Sequence, residues 1–410
     1  MFRTPYFIGT LVITSLITGC GDNNNDSSSS VIPVAEKSNF AIIGDMPYGT
    51  SPTDTSQFLA NPAYISALNA DKELFATMHV GDIHSGKEYC TENYNRAIYT
   101  QWADFKMPLI YSPGDNEWTD CHKIKEGGGV YNAITNQIDY KVDEAGKWVG
   151  YEGGDPVKNL DLVRSIFYPK VGQTLGSAMK VHSQAQEYDL AFPADRAYVE
   201  NVWFEKSNVL FVTLNVPGGS NNDTDPWYGA PNMSTSQANE VALRSAANKR
   251  WLDAAFKQAI ANHNIGVVIG LQADMWDNDG ANATHISEYK QFIENIANNA
   301  KVFNQPVLLL NGDSHVYRSD NPLVKGASCV IEATTGASAV PCTTSGVTGK
   351  NPSDPYLNQP FNYNVPNFHR ITVHGSTAPF EYLKLTIDPT ANAANSDSAF
   401  GPFSWKRIKP

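Results

Sequence analysis

Four Gly-Asp steps carry the most legible chemistry in this chain. Gly44-Asp45, Gly81-Asp82, Gly114-Asp115 and Gly312-Asp313 each follow an apolar, β-rich run. A carboxylate just beyond a strand lies at the carboxyl edge of a sheet, where open α/β sheets build their sites. One such Asp is equally a turn or N-cap residue. Four on the same edge would repel one another and either take up protons or bind a cation. The chemistry they predict is therefore metal binding. The densest of the four stretches is Ser112-Pro113-Gly114-Asp115-Asn116-Glu117-Trp118-Thr119-Asp120-Cys121, and His315 stands two residues beyond Asp313 as a further ligand.

Strands and helices in regular alternation must position these residues. Phe40 to Ile43, Leu74 to Val80 and Pro108 to Tyr111 have the apolar character of buried strands, with helical spacing over Gln57–Ala70 and Tyr94–Phe105 between them. That alternation predicts parallel strands joined by right-handed crossovers. Further strands are predicted at 209–215, 265–271, 306–310, 329–335, 370–374 and 382–387, and a second-half helix over 286–297. The clearest helical pattern is Thr235 to Ala261. Ser234-x-x-Gln237 offers it a capping box, and Leu252, Ala255, Phe256, Ala259 and Ile260 an apolar stripe. From 121 to 201 the periodicity breaks down, which predicts a long irregular cap or insertion beside the site. No internal repeat and no second core are visible. The expected fold class is thus α/β, with one domain over 39–390 and a C-terminal tail over 391–410.

Composition and the N-terminus bound the setting. The 410 residues carry a formal net charge of -12 and are 18% charged. That balance argues against sequence-specific nucleic-acid binding, which needs clustered Lys and Arg. Arg3 followed by the apolar Tyr6 to Thr18, too short to span a bilayer, reads as a signal peptide over 1–19. Leu16-Ile17-Thr18-Gly19-Cys20 resembles a bacterial lipobox, which implies cleavage before Cys20 and lipidation of its thiol. Residues 20–38 then form a flexible tether. The expectation is an exported chain in a bacterial cell envelope that meets the membrane by its lipid anchor alone. Cys90, Cys121, Cys329 and Cys342 remain, and an even number in an exported chain predicts two disulfides among three connectivities. Cys90–Cys121 and Cys329–Cys342 is the favoured pairing. The first would tie the loop after Asp82 to the loop after Asp115.

The order of these motifs, from about Phe40 to Tyr317, resembles the calcineurin-like metallophosphoesterases, a family that includes the purple acid phosphatases. The resemblance implies a two-sheet sandwich flanked by helices, with two metal ions at the strand ends. Asp45 matches the first motif, and Asp82 the second, whose carboxylate bridges the metals. Gly114-Asp115-Asn116-Glu117 stands where the family has Gly-Asn-His-Glu, Gln272 where it has a lone His, and Gly312-Asp313-Ser314-His315 where it has Gly-His-x-His. The departures are as informative. Pro47 replaces a ligating His, with Tyr48 the nearest substitute, and Asn116 replaces the catalytic His. Gln272 reads as a ligand or as a support for the ligands, and Asp274 could stand in for it.

Carried over residue by residue, the implied metal ligands are Asp45, Asp82, Asp115, Gln272, Asp313, His315 and Tyr48. Oxygen has replaced nitrogen almost throughout, so the two divalent or trivalent ions expected are hard ones (Mn, Mg, Ca or Fe) in preference to Zn. Asn116 would orient substrate, and His84 and His122 are the candidates to replace the missing general acid. Glu117 reads as a support for its loop and His79 as a core histidine. The reaction class implied is metal-dependent hydrolysis of a phosphorylated small molecule or other phosphoric ester. The alternative is a relative that keeps the fold and a cation but binds a ligand or partner without turnover. A serine hydrolase is disfavoured, since no Gly-x-Ser-x-Gly occurs.

Overall fold

Phe40 and Ile42 are buried on one side of the first strand, Ala41 and Ile43 on the other. A period of two with neither face polar marks a strand covered on both sides. The computed structural model describes residues 36–277, 283–344, 362–378 and 380–410. Its main elements, in chain order, are β1 (Ser38–Ile43), α1 (Ser56–Ala70), β2 (Leu74–His79), α2 (Glu92–Trp102), β3 (Pro108–Tyr111), α3 (Pro156–Phe167), β4 (Val202–Lys206), β5 (Val209–Thr213), α4 (Thr235–Ala261), β6 (Gly266–Gly270), α5 (Ala283–Phe303), β7 (Val307–Asn311), β8 (Arg318–Asp320), β9 (Cys329–Glu332), β10 (Ala339–Pro341), β11 (Phe368–Thr372), β12 (Tyr382–Ile387) and β13 (Phe403–Ile408).

Two sheets result. One runs Ala399–Phe400, β13, β12, β1, β2, β3, Leu175–Gly176, and β1, β2 and β3 within it are parallel. The other runs β10, β9, β8, β11, β7, β6, β5, β4, His182–Ser183, with β5, β6, β7 and β11 parallel. Phe40, Ile42 and Met78 of the first sheet pack against Phe211, Val268, Leu308 and Ile371 of the second, the Phe40 and Phe211 rings 4.5 Å apart. The outer face of the first sheet is covered by Tyr64, Ile65, Trp102 and Val163 from α1, α2 and α3. Leu252, Phe256, Phe292 and Ile296 of α4 and α5 cover the second. The fold is thus the α/β two-sheet sandwich flanked by helices that the sequence predicts.

Several local expectations need correction. Residues 391–410 are not a tail: β13 pairs along the whole of β12 and buries Phe403 and Trp405. The exposed Ser404 and Lys406 alternate with them and interrupt the apolar pattern, as a strand covered on one face requires. The 121–201 insertion is not irregular throughout. Asp155 caps α3, its side chain accepting the Lys158 N–H at 3.0 Å, and Leu162, Val163, Ile166 and Phe167 enter the core. Half of the capping box forms at α4: Ser234 Oγ accepts the Gln237 N–H at 3.1 Å. The Gln237 side chain instead donates to the carbonyls of Asn222 and Asp225. Ile260, counted in the apolar stripe, is exposed.

Both favoured disulfides, Cys90–Cys121 and Cys329–Cys342, are formed, and they indicate an oxidising environment. Among the described residues no helix is long and apolar enough to cross a membrane. Cys20 and the lipid anchor expected on it lie outside the described residues.

Candidate metal centre

Asp45 follows β1, Asp82 follows β2, Asp115 follows β3, Gln272 follows β6, and Asp313 and His315 follow β7. All five strands are parallel members of their sheets, so these residues arrive at one edge of the sandwich. The backbone stays paired beyond the strands: Asp45 N–H donates to Gly81 O and Met46 N–H to Asp82 O, both at 2.9 Å. Asp45 (φ 53°), Asp82 (φ 60°), Asp313 (φ 74°) and His315 (φ 63°) all sit in the left-handed region. Asp and His tolerate it better than most residues, and such conformations gather at functional sites.

The four carboxylates meet. Asp313 N–H donates to Asp45 Oδ1 at 2.9 Å, linking the two sheets across the site. Oxygen and nitrogen atoms of Asp45, Asp82 and His315 lie within 4.8 Å of one another, with His315 Nε2 3.5 Å from Asp45 Oδ1. Asp45 Oδ2 is buried and accepts no hydrogen bond. A Cβ on Gly218 would lie 2.6 Å from Asp313 Oδ1 and 2.8 Å from Asp115 Oδ2, which brings those two carboxylates together beneath that glycine. A Cβ on Gly114 would collide with Asp82 Oδ1, so only glycine lets the β3 loop approach the β2 loop this closely.

Charge is the dominant fact of the site. Among the described residues none of the four aspartates forms an ion pair with Lys or Arg; Lys123, near Asp115, is held by Asp120 at 2.5 Å. Burial pushes Asp45, Asp82 and Asp313 well above the carboxylate range, and repulsion from neighbours, Asp115 among them, adds to it. Asp115 itself is pushed up to about 6, by burial first and Asp120 next. His315 is pulled down by burial and by the nearby His374, which keeps its ring neutral and able to ligate.

The remaining candidates take more modest places. Tyr48 donates its hydroxyl proton to Asp82 Oδ2 at 2.5 Å, and burial beside Asp82 and Asp45 holds that proton on the oxygen. In this arrangement it is a hydrogen-bond donor to Asp82. The Asn116 amide nitrogen donates to Tyr48 Oη and to Asp82 Oδ2, both at 2.9 Å, so it braces Asp82. Gln272 Nε2 donates to Asp115 Oδ1 at 3.0 Å and Asp82 Oδ2 at 3.3 Å, while its Oε1 accepts the Gly218 N–H.

Neither His84 nor His122 hydrogen-bonds any of the four aspartates among the described residues. His84 Nδ1 lies 3.1 Å from Ser85 O, with its ring edge-on to Tyr94. His122 Nδ1 accepts the Tyr228 N–H at 2.9 Å, and burial brings the ring down to about 4, so it is neutral near pH 7. Glu117 supports its loop as expected, accepting from Gly114 N–H at 2.6 Å and from the Tyr111 hydroxyl. His79 is a satisfied core histidine, its Nε2 3.0 Å from Met46 O.

Two contributors escape the sequence reading. Gly218 supplies the N–H that orients Gln272, and its only signal is the Gly pair after the strand at 209–213. Arg370, fully buried in β11, bonds Asp274 at 2.5 Å and Asp320 at 2.8 Å. Asp274 in turn donates its N–H to Asp313 Oδ2 at 2.9 Å. Asp274 therefore supports Asp313.

No protein-family model and no curated protein sequence matches the chain. Among solved structures, a purple acid phosphatase from the seeds of yellow lupin (Lupinus luteus) aligns at a TM-score of 0.38 and 12% identity, over 92% of this chain and 52% of that one. This chain thus spans about half the length of that enzyme. A likeness of that degree carries no argument about chemistry, and what the centre can do rests on its own side chains.

Proposed function

We propose that this protein is a metal-dependent hydrolase of phosphoric esters. The observation that carries the reading is the convergence of the buried Asp45, Asp82 and Asp115 with the half-buried Asp313, none with a Lys or Arg partner among the described residues. A buried carboxylate with no counter-ion is costly, and a cation relieves several at once. The donor set fits a hard cation. Asp45, with an oxygen free of hydrogen bonds, Asp82 and the neutral His315 would hold it. Bound there, a cation would polarise a phosphoryl oxygen and lower the pKa of water. The side chains contribute the rest: Tyr48 and Asn116 fix the Asp82 carboxylate, and Asp313 N–H fixes Asp45. The phosphoric-ester class comes from the motif order shared with the calcineurin-like family.

One observation favours a second reading, cation and ligand binding without turnover. His122 Nδ1 accepts the Tyr228 N–H and His84 Nδ1 lies against Ser85 O, so neither histidine hydrogen-bonds an aspartate, and among the described residues no histidine stands ready as the acid for the leaving group. An enzyme so built would be slow, or confined to good leaving groups such as aryl esters and anhydrides. Assays of aryl and alkyl phosphate mono- and diesters with added Mn²⁺, Mg²⁺, Ca²⁺ or iron decide between them. The hydrolase reading predicts cation-dependent cleavage, faster for aryl esters, and a loss on the order of 10²-fold or more in folded Asp82→Asn. Cation binding with no cleavage of any ester supports the second reading and overturns the first.

A further inference from the structure

We infer that this centre holds a single cation and that the carboxamide of Gln272 occupies the place of a second. The inference rests on the cation-binding reading above and departs from the pair of ions expected from the motifs. Among the described residues, one group of three carboxylate and imidazole side chains converges closely enough to ligate an ion. Asp45, Asp82 and His315 come within 4.8 Å of one another, and Asp45 Oδ2 is buried with no donor to satisfy it.

The motif resemblance implies a second cation held by Asp82 and Asp115, and there the chain has placed an N–H₂ group. Gln272 Nε2 lies 3.0 Å from Asp115 Oδ1 and 3.3 Å from Asp82 Oδ2. The two ends of a side-chain amide are hard to distinguish in isolation, but here a backbone group decides. The Gly218 N–H can only donate, so the atom facing it must be the carbonyl oxygen Oε1. The nitrogen is then forced toward the carboxylates. An amide nitrogen with both protons is no metal ligand; it is a pair of donors whose partial positive charge stands in for an ion. Asp82 Oδ2 is further engaged by Tyr48 at 2.5 Å and Asn116 at 2.9 Å, which leaves it little capacity to bridge.

The test is the stoichiometry of Mn²⁺ bound to the full chain, read by equilibrium dialysis with elemental analysis and by calorimetry. The wild-type protein is expected to bind one equivalent. Asp45→Asn is expected to abolish that equivalent and Asp115→Asn to leave it. Gln272→Glu replaces the N–H₂ with an isosteric oxygen while keeping an acceptor for Gly218, and should raise the count to two and make folding depend on Mn²⁺. Two equivalents in the wild type, or loss of the bound ion in Asp115→Asn, overturns this inference and leaves the hydrolase reading standing. No bound Mn²⁺ in the wild type overturns both. The wild-type count stands even if a variant fails to fold.

Discussion

Asp115 is the residue at which the electrostatics of the centre can be read by titration. Without a cation its carboxyl keeps its proton to about pH 6 when folded, against 3.8 as the ordinary value. The folded state therefore binds more protons than the unfolded one between those values. Stability from this group is fully present below about 3.8 and is lost as pH rises through about 6, on the order of 3 kcal/mol at about 1.4 kcal/mol per pH unit of separation. Asp45, Asp82 and Asp313, raised further, carry the loss above that window. Thermal melts with chelator or Mn²⁺ should diverge as pH rises from about 4 to about 7, the chelated protein falling behind; a constant gap would contradict this. The aspartates were legible in the sequence because Gly-Asp after an apolar run fixes both a turn and a strand end. The orientation of Gln272 was not, because it is set by a backbone N–H in a loop far along the chain.

At the scale of elements, the parallel strands bring the ligands to one edge, and the buried Arg370–Asp274 ion pair keeps the β6 and β7 loops in place. Arg370 on β11 joins Asp274 and Asp320, and Asp274 holds Asp313 through its N–H. Arg370→Met would leave Asp274 and Asp320 buried with less compensation. The expected cost is roughly 3–5 kcal/mol, read as a lower denaturation midpoint, with weaker cation binding in the same variant. An unchanged midpoint would show that the pair does not support the site. Strands buried on both faces, such as β1, β6 and β7, were readable as unbroken apolar runs. Strand β13 was not, since its alternating Phe403-Ser404-Trp405-Lys406 buries only one face. Arg370 sits in an apolar strand pattern, where sequence shows a charge but not the two carboxylates, 96 and 50 residues away, that neutralise it.

For the molecule as a whole, two sheets packed through their inner faces deliver one acidic edge, and the Asp313–Asp45 hydrogen bond closes it. The class of fold followed from the alternation of strands and helices. The helix within 121–201 and the role of 391–410 did not, because their burial depends on surfaces supplied by the rest of the chain. The central claim is that this edge exists to hold a hard cation. Its most direct test is anomalous diffraction from a crystal of the protein soaked in Mn²⁺. A manganese peak is expected among the side chains of Asp45, Asp82 and His315. A fully soaked crystal with no peak there, or with manganese bound only elsewhere, would contradict it.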